Sequence, residues 1–290
     1  ALPLAVAGWL VALYHCLLYW GVIPKDLVPC GEGASCTDVK AVLFGFVPVP
    51  LLSLAAFSLV VVFRQSSKKN PKMNKKMLVM SAGLLALVVF ALGAFFYTQQ
   101  QTRQAAQLAQ ENRAALVRPH SPAFGNPGAK VTIVEFIDPA CETCSAFYPL
   151  VKSLVSGSFG QVNLVMRYAP LHKGSDEVVR ILEAARMQDL YWPVLQTLLK
   201  SQAVWVIHHE AKPEMVWGLI QETGLDVAKA RSDMNHPRVA EIVAQDIADG
   251  KTLKVTKTPG FFVNGKPLVD FGADQLKALV ASEVRSAYGK

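Results

Sequence analysis

Val131-Thr132-Ile133-Val134-Glu135-Phe136-Ile137-Asp138-Pro139-Ala140-Cys141-Glu142-Thr143-Cys144 sets the reading of the whole chain. Its apolar, β-branched first half predicts a strand over 130–137, halted at Asp138-Pro139. Ser145 to Val155 then carries a helical pattern, so a helix is predicted over 142–156. The two cysteines therefore stand at a helix N-terminus. A thiolate there faces unpaired backbone N–H groups and the positive end of the helix dipole, which lowers its pKa. Cys141 reads as an exposed, ionised nucleophile, and Cys144, one turn further on, is placed to close a disulfide with it. A zinc half-site or a structural disulfide would use the same residue types. Zinc takes four ligands, and the sequence has no second Cys-x-x-Cys or finger-spaced His pair.

A second segment, Val255-Thr256-Lys257-Thr258-Pro259-Gly260-Phe261-Phe262-Val263-Asn264-Gly265-Lys266-Pro267, predicts a Thr-Pro step, a short strand, an Asn-Gly hairpin turn and a return strand. With it, the chain from Val117 to its end resembles the DsbA-like thiol oxidases of the thioredoxin superfamily. The resemblance implies a cis peptide bond at Thr258-Pro259, lying against the Cys-x-x-Cys. By itself the sequence says only that an X-Pro bond can be cis. The resemblance also implies a buried acid six residues before the first cysteine, where Glu135 stands. A strand-end charge turned to solvent is the alternative for that residue. Helical patterns at 176–187, 192–200, 213–222 and 237–248 follow a strand at 161–168, and a last helix is predicted over 273–287. An α/β thioredoxin-like domain over 118–290, with a helical insertion at about 170–250, is the DsbA-like layout. His120, His172, His208, His209 and His236 have no cysteine or carboxylate at ligand spacing; they read as surface or loop histidines, and no metal is expected.

Upstream, the composition changes. The whole chain is 52% apolar with net charge +7, and the apolar residues concentrate at its start. Three uncharged stretches, 1–24, 41–63 and 77–97, are each long enough to cross a hydrocarbon core of about 30 Å, which predicts an α-helical membrane domain of three spans. A signal peptide is the alternative for the first, but it lacks a basic leader and a small-residue cleavage site. Residues 64–76 hold six basic residues and no acid, which places that loop in the cytoplasm and the flanking polar segments outside. The position of the basic run between two spans favours topology over nucleic-acid binding. Residues 98–117, rich in Gln and Ala, predict a helical stalk that holds the soluble domain up to about 30 Å above the membrane. The Cys-x5-Cys loop, Cys30 to Cys36, then faces the same oxidising compartment as Cys141 and Cys144.

Tyr14-His15-Cys16-Leu17-Leu18, that cysteine loop and Phe44-Gly45-Phe46-Val47-Pro48-Val49-Pro50-Leu51-Leu52 resemble the C-terminal half of DsbB-like quinone-dependent disulfide generators over about residues 5–63. The runner-up is the vitamin K epoxide reductase family, which has a similar loop and also fuses to thioredoxin domains. The DsbB resemblance implies that His15 lies near a quinone and that Cys30/Cys36 pass electrons towards it. A polar residue buried between spans is the alternative for His15, and Cys16 reads as a small hydrophobe in the bundle. Both families place a further Cys-x-x-Cys beside the quinone, and the membrane part of this chain has none. The chain also opens on Ala1 rather than Met, so a fragment or processed product is expected, its partner being the missing spans or a separate subunit.

The expected protein is a multi-pass enzyme of the bacterial inner membrane: residues 1–63 DsbB-like, 64–97 the basic loop and third span, 98–117 the stalk, and 118–290 catalytic. Its substrates would be reduced, unfolded envelope proteins, with membrane lipid around the spans and no nucleic acid. Cys141 would form the mixed disulfide and Cys144 resolve it. Thr258 and Pro259 would border the substrate cleft, and Glu135 would accept a proton. A disulfide reductase or isomerase running electrons outward is the competing enzyme, and a binding module with structural cysteines is the competing class. The carboxylate of Glu142, next to the nucleophile, leads one to expect a less oxidising disulfide than the strongest oxidants of the family.

Overall fold

The computed structural model describes residues 2–19, 42–43, 47–48, 58 and 75–289. These divide into two compact units, 1–100 and 101–290. In the first, helix α1 (Leu2–Tyr19) and a two-stranded ladder of β1 (Val42–Leu43) and β2 (Val47–Pro48) are described. Cys30, Cys36, the basic loop up to 74 and nearly all of the expected second span lie outside the described residues. Among the described residues no helix is long and apolar enough to cross a membrane, so the three-span domain finds no support there. Helix α2 (Lys75–Glu111) runs unbroken for 37 residues through the expected third span and most of the expected stalk.

Strand β4 (Val131–Ile137) is the centre of the second unit, and its sequence explains why. Val131, Ile133 and Ile137 face one side and Val134 and Phe136 the other, all buried, as a strand covered on both faces requires. Helix α3 (Glu142–Ser156) crosses back over the sheet, and β5 (Val162–Tyr168) then pairs parallel to β4, with Ile137 beside Tyr168. Strand β3 (Ala123–Gly125) adds antiparallel to the far edge of β5, and β8 (Gly260–Val263) to the other edge of β4. The return strand β9 (Lys266–Pro267) completes the order β3-β5-β4-β8-β9. The turn between β8 and β9 has φ of +48° at Asn264 and +81° at Gly265, the left-handed pair that an Asn-Gly hairpin supplies. Asn264 Oδ1 also accepts from the Thr132 amide at 2.9 Å, which fixes the hairpin to β4.

Between β5 and β8 the chain is almost wholly helical: α4 (Ser175–Arg186), α5 (Tyr191–Lys200), α6 (Gln202–Trp205), α7 (Pro213–Ile220), α8 (Val227–Asp233) and α9 (Pro237–Thr252). A two-residue hairpin, β6 (Val206–Ile207) with β7 (Glu210–Ala211), interrupts it. Helix α10 (Ala273–Tyr288) closes the domain, burying Leu276 and Val280. The larger core joins the Ile133 face of the sheet to these helices and includes the fully buried Trp205, whose indole donates to the Leu198 carbonyl. On the opposite face Phe136 packs edge-on to Phe262 and beneath the Arg167 guanidinium.

Two findings stand out on that face, the first a departure from the sequence reading. Ala109, Ala115 and Leu116 are buried with Val134 and Phe136, so the end of α2 and the turn after it are part of the domain core, inside the stretch read as a stalk. Arg167 is fully buried on β5 and holds Asp246 and Asp249 of α9 at 2.7 and 2.6 Å, with Arg118 and His120 on the outer side of the same carboxylates. Arg167 stands next to last in β5, and nothing local in the sequence marks it as buried. Here α9, from the far end of the insertion, supplies the counter-charges that make burial tolerable.

Candidate functional site

Every part of the site is held at the C-terminal edge of β4 and β5. Asp138 ends β4, and its carboxylate accepts from the Ala140 amide while its backbone oxygen accepts from the Cys141 amide at 3.0 Å. This tight turn makes Cys141 the N-cap of α3, with extended φ and ψ and its own carbonyl taking the first helical bond from Ser145. Two contacts from the insertion hold the turn: Gln202 donates to the Pro139 carbonyl and Ser145 Oγ to the Leu199 carbonyl. Both cysteines are reduced thiols in this structure.

The two thiols have opposite electrostatics. Cys141 is pulled down to about 5, first because the Cys144 thiol donates to its thiolate, against the cost of burial, and with help from the Thr258 hydroxyl and the Cys144 and Thr143 amides. Its Sγ also lies 3.2 Å from the Thr258 carbonyl, which accepts from the protonated thiol. Cys144 is pushed up well above the ordinary thiol range, chiefly by burial and then by serving as donor to Cys141. One thiol is ionised at neutral pH and the other holds its proton. Cys141 is only 7% exposed, which corrects the expectation of an exposed nucleophile: the Thr258-Pro259 loop lies over it. The Thr258-Pro259 peptide bond is cis.

Glu135 is fully buried below the cysteines, and burial, followed by the nearby Cys141 thiolate, raises it to about 8. Neither of its oxygens has a hydrogen-bond partner among the described residues, so the solvent-facing alternative is excluded. The Tyr148 hydroxyl, one helical turn beyond Cys144, is likewise buried without a partner and is pushed up to about 12 by burial and by Glu135. Glu142 turns outward, 72% exposed and 3.8 Å from the His209 ring. Water screens its charge, and it is not among the groups that set Cys141. The expected weakening of the oxidant by Glu142 therefore loses its cause.

Beside Cys141 opens a cleft of about 730 Å³, bounded by Thr143, Thr258, Pro259, Phe271, Gln104 and Leu108. Phe271 is 45% exposed on its rim, tilted against Phe147 and stacked on Phe261. The sequence thus placed Cys141, Cys144, Thr258, Pro259 and Glu135 in one site, and the structure brings all five together. Of the other candidates, His15 is exposed on α1 with its ring edge against Tyr14, and Cys16 beside it is buried; Cys30 and Cys36 are not described. Two histidines read as partnerless have carboxylates at 2.7 Å: His120 on Asp246 and His172 on Asp138. Their partners stand 126 and 34 positions away, beyond any local spacing rule. Among the described residues no cluster suited to a metal ion occurs. The signal overlooked in the sequence was Asp138, an acid at a strand end next to the cysteines.

Comparison with known proteins agrees with this geometry. A thioredoxin family pattern matches residues 117–281. A thioredoxin-like oxidoreductase from Silicibacter pomeroyi, of known structure, is 32% identical over 61% of this chain and 99% of its own, with a TM-score of 0.53. A Na(+)/H(+) antiporter NhaA of Herminiimonas arsenicoxydans is 31% identical over 50% of this chain, and a probable disulfide formation protein of Metapseudomonas resinovorans is 46% identical over 21% of it. The chain spans only 22% and 44% of the lengths of those two relatives. On the match over more than half of its length, and with its Cys-x-x-Cys set against a cis-proline, the chain belongs to the thioredoxin family.

Proposed function

We propose that this chain is a membrane-anchored thiol:disulfide oxidoreductase of the DsbA type that introduces disulfides into proteins of the bacterial envelope. The observation that carries the reading is the split between the two thiols, Cys141 down to about 5 and Cys144 well above the ordinary range. A stabilised thiolate stabilises the reduced pair, and a pair stable when reduced is an oxidising disulfide. That favours oxidation of substrates over the reductase and isomerase alternatives.

In the forward reaction a substrate thiolate attacks Cys141 Sγ of the Cys141–Cys144 disulfide. The S–S bond breaks, its electron pair leaves on Cys144, and Glu135, protonated at neutral pH, is the proton source beside it. A second substrate thiolate then attacks the substrate sulfur of the mixed disulfide, and Cys141 leaves as a thiolate. The substrate disulfide has formed and the Cys141/Cys144 pair has gained two electrons. Thr258 and Pro259 border the cleft in which the substrate chain lies.

Reoxidation is assigned to Cys30/Cys36, by exchange with Cys141/Cys144, followed by transfer towards quinone. The uncharged stretches at 1–24, 41–63 and 77–97, and relatives named for disulfide formation and for Na(+)/H(+) antiport, support anchoring in the membrane. The residues present do not complete a quinone site. The only Cys-x-x-Cys in the chain is Cys141/Cys144, and His15 has a lone thiol, Cys16, as its neighbour. A further Cys-x-x-Cys, on spans outside this sequence or on a separate subunit, is required.

The test is iodoacetamide alkylation of the reduced chain between pH 4 and 9. Cys141 should react with an apparent pKa near 5 and Cys144 should resist throughout. Titration of both thiols together near pH 9 would overturn the reading.

A further inference from the structure

The thioredoxin domain does not build its cleft alone. Gln101, Gln104, Ala105 and Leu108 also line the cleft at Thr258-Pro259, and all four stand upstream of residues 117–281, which the family pattern matches. Their spacing of three, four and seven is that of one face of helix α2. The helix is pinned directly beyond this face, where Ala109 is fully buried in one cluster with Val134, Phe136 and Phe262. That face of α2 is therefore a fixed wall of the cleft, and Gln101 and Gln104 are exposed on it.

The cleft is also one-sided in charge. Lys254 and Lys257 line it, both exposed, and no lining residue is acidic. The two acids next in sequence to lining residues have other neighbours: Glu142 lies 3.8 Å from the His209 ring, and Asp270 accepts from the Gln275 side chain at 3.5 Å. Among the described residues, the lysines in ion pairs are Lys173, Lys212, Lys229, Lys266 and Lys277, so neither cleft lysine has a carboxylate partner. Both stand close to the nucleophile. Lys257 immediately precedes Thr258, whose carbonyl is 3.2 Å from Cys141 Sγ, and Lys254 precedes Thr258 by four positions. The turn that carries them is tight: the Val255 amide donates to the Gly250 carbonyl at 2.8 Å, and Lys254 has a left-handed φ of +56°, uncommon for a lysine. Residues within three positions of a cysteine bonded to Cys141 stay within about 10 Å of it. That is about one Debye length at 0.1 M salt, so their charges are not screened from this turn.

We propose that this cleft selects substrate segments with acidic side chains within about three residues of the reactive cysteine, Lys254 and Lys257 reading the charge and the Gln101–Gln104 face of α2 bounding the bound segment. This rests on the oxidase reading above and names the class of chain that the site takes. Apolar contact with Leu108, Val269 and Phe271 serves any extended segment; the two cations are what discriminate. An acidic segment is attracted as it approaches and while it is held as the mixed disulfide, and a basic one is repelled. Exposed charge pairs of this kind change a rate or affinity by up to about fivefold each. The exchange itself is as described: the substrate thiolate bonds to Cys141 Sγ and the electron pair of the broken disulfide leaves on Cys144. The neutral amides of Gln101 and Gln104 leave the choice to the lysines, whereas carboxylates there would oppose it.

The experiment uses the full chain, with Cys141/Cys144 oxidised, and two dithiol peptides that differ only in carrying Asp or Lys beside their cysteines. The oxidation rate of each peptide is measured on the unaltered chain and on Lys254→Gln/Lys257→Gln, at about 50 mM and about 500 mM salt. Comparing one peptide on two proteins cancels the acidity of its own thiols, and comparing two peptides cancels any change in the Cys141 thiolate. We expect the lysine variant to slow the Asp peptide about tenfold relative to the Lys peptide at low salt, and only about twofold at high salt. Gln101→Glu/Gln104→Glu, at exposed positions of α2, should slow the Asp peptide about threefold relative to the Lys peptide at low salt. A ratio of rates unmoved by the lysine variant would overturn the charge selection, and one unmoved by the glutamate variant would overturn the part given to α2. Should the oxidised chain convert neither peptide, the oxidase reading itself falls; should it convert both with every ratio unmoved, only the selection falls.

Discussion

Glu135→Gln should uncover a pH dependence of stability that the unaltered protein conceals. Cys141 has its folded pKa depressed, from 9.0 to about 5. A depressed acid contributes stability that is complete above the unfolded value and is lost as pH falls through the folded one, so this contribution rises between pH 5 and 9. Glu135 is the opposite case, raised from 4.5 to about 8. Its contribution is complete below the unfolded value and is lost as pH rises through the folded one, so it declines between pH 4.5 and 8. Each slope is about 1.4 kcal/mol per pH unit at full strength. From pH 5.5 to 7.5 the cysteine gains about 2.5 kcal/mol and the glutamate loses about the same, so the reduced protein should be nearly level. Reduced Glu135→Gln should instead gain about 2.5 kcal/mol over that interval. Reduced Cys141→Ser should lose somewhat less than that, since the thiolate is the second cause of the Glu135 shift, after burial. The assay is denaturant unfolding under reductant at the two pH values, followed by the fluorescence of Trp192, Trp205 and Trp217 in the 101–290 unit. Parallel pH profiles for Glu135→Gln and the unaltered chain would refute the reasoning.

Four more outcomes are expected, three from the site and its supports and one from the cysteines available for reoxidation. Thr258→Val removes a hydroxyl donor to the thiolate while keeping the carbonyl; the Cys141 pKa should rise by about one unit in a thiolate absorbance titration, and an unmoved curve would remove Thr258 from the site. Cys144→Ala should accumulate mixed disulfides when its Cys141 thiolate attacks proteins that already carry a disulfide, the second substrate sulfur leaving as a thiolate; the adducts should be visible by mass or mobility shift in an oxidised envelope extract, because no Cys144 thiol remains to release them. Arg167→Met strands Asp246 and Asp249 in the interior and should cost about 3–5 kcal/mol in the unfolding midpoint, while a loss under 1 kcal/mol would mean the buried network carries little. In detergent, with reduced peptide in excess, the chain should exchange disulfides internally once and then stop, and added quinone should give no sustained turnover unless a Cys-x-x-Cys subunit is supplied.

Much of this domain is local, and the sequence alone determines that part. A β-branched run ending in Asp-Pro makes a strand end, a cysteine pair before a helical pattern makes a helix N-terminus, and Asn264-Gly265 makes a hairpin turn. Each follows from steric and hydrogen-bonding preferences acting over a few residues, and the helices of the insertion follow from their own periodicity. What only the tertiary structure decides involves groups far apart in sequence. Arg167 can be buried because α9 returns, 79 and 82 residues later, with Asp246 and Asp249. The end of the expected stalk belongs to the core because Ala109 and Leu116 join Phe136 and, from far along the chain, Phe262 in one buried cluster. Glu135 faces inward because β4 is covered on both sides, which alternation along one strand cannot reveal. His172 gains its orientation from Asp138, 34 residues earlier, because two parallel strands end side by side. A polar side chain carries no sign in the sequence of whether it will meet water or a partner. The free energy that decides is the desolvation cost set against contacts that exist only once the chain has folded.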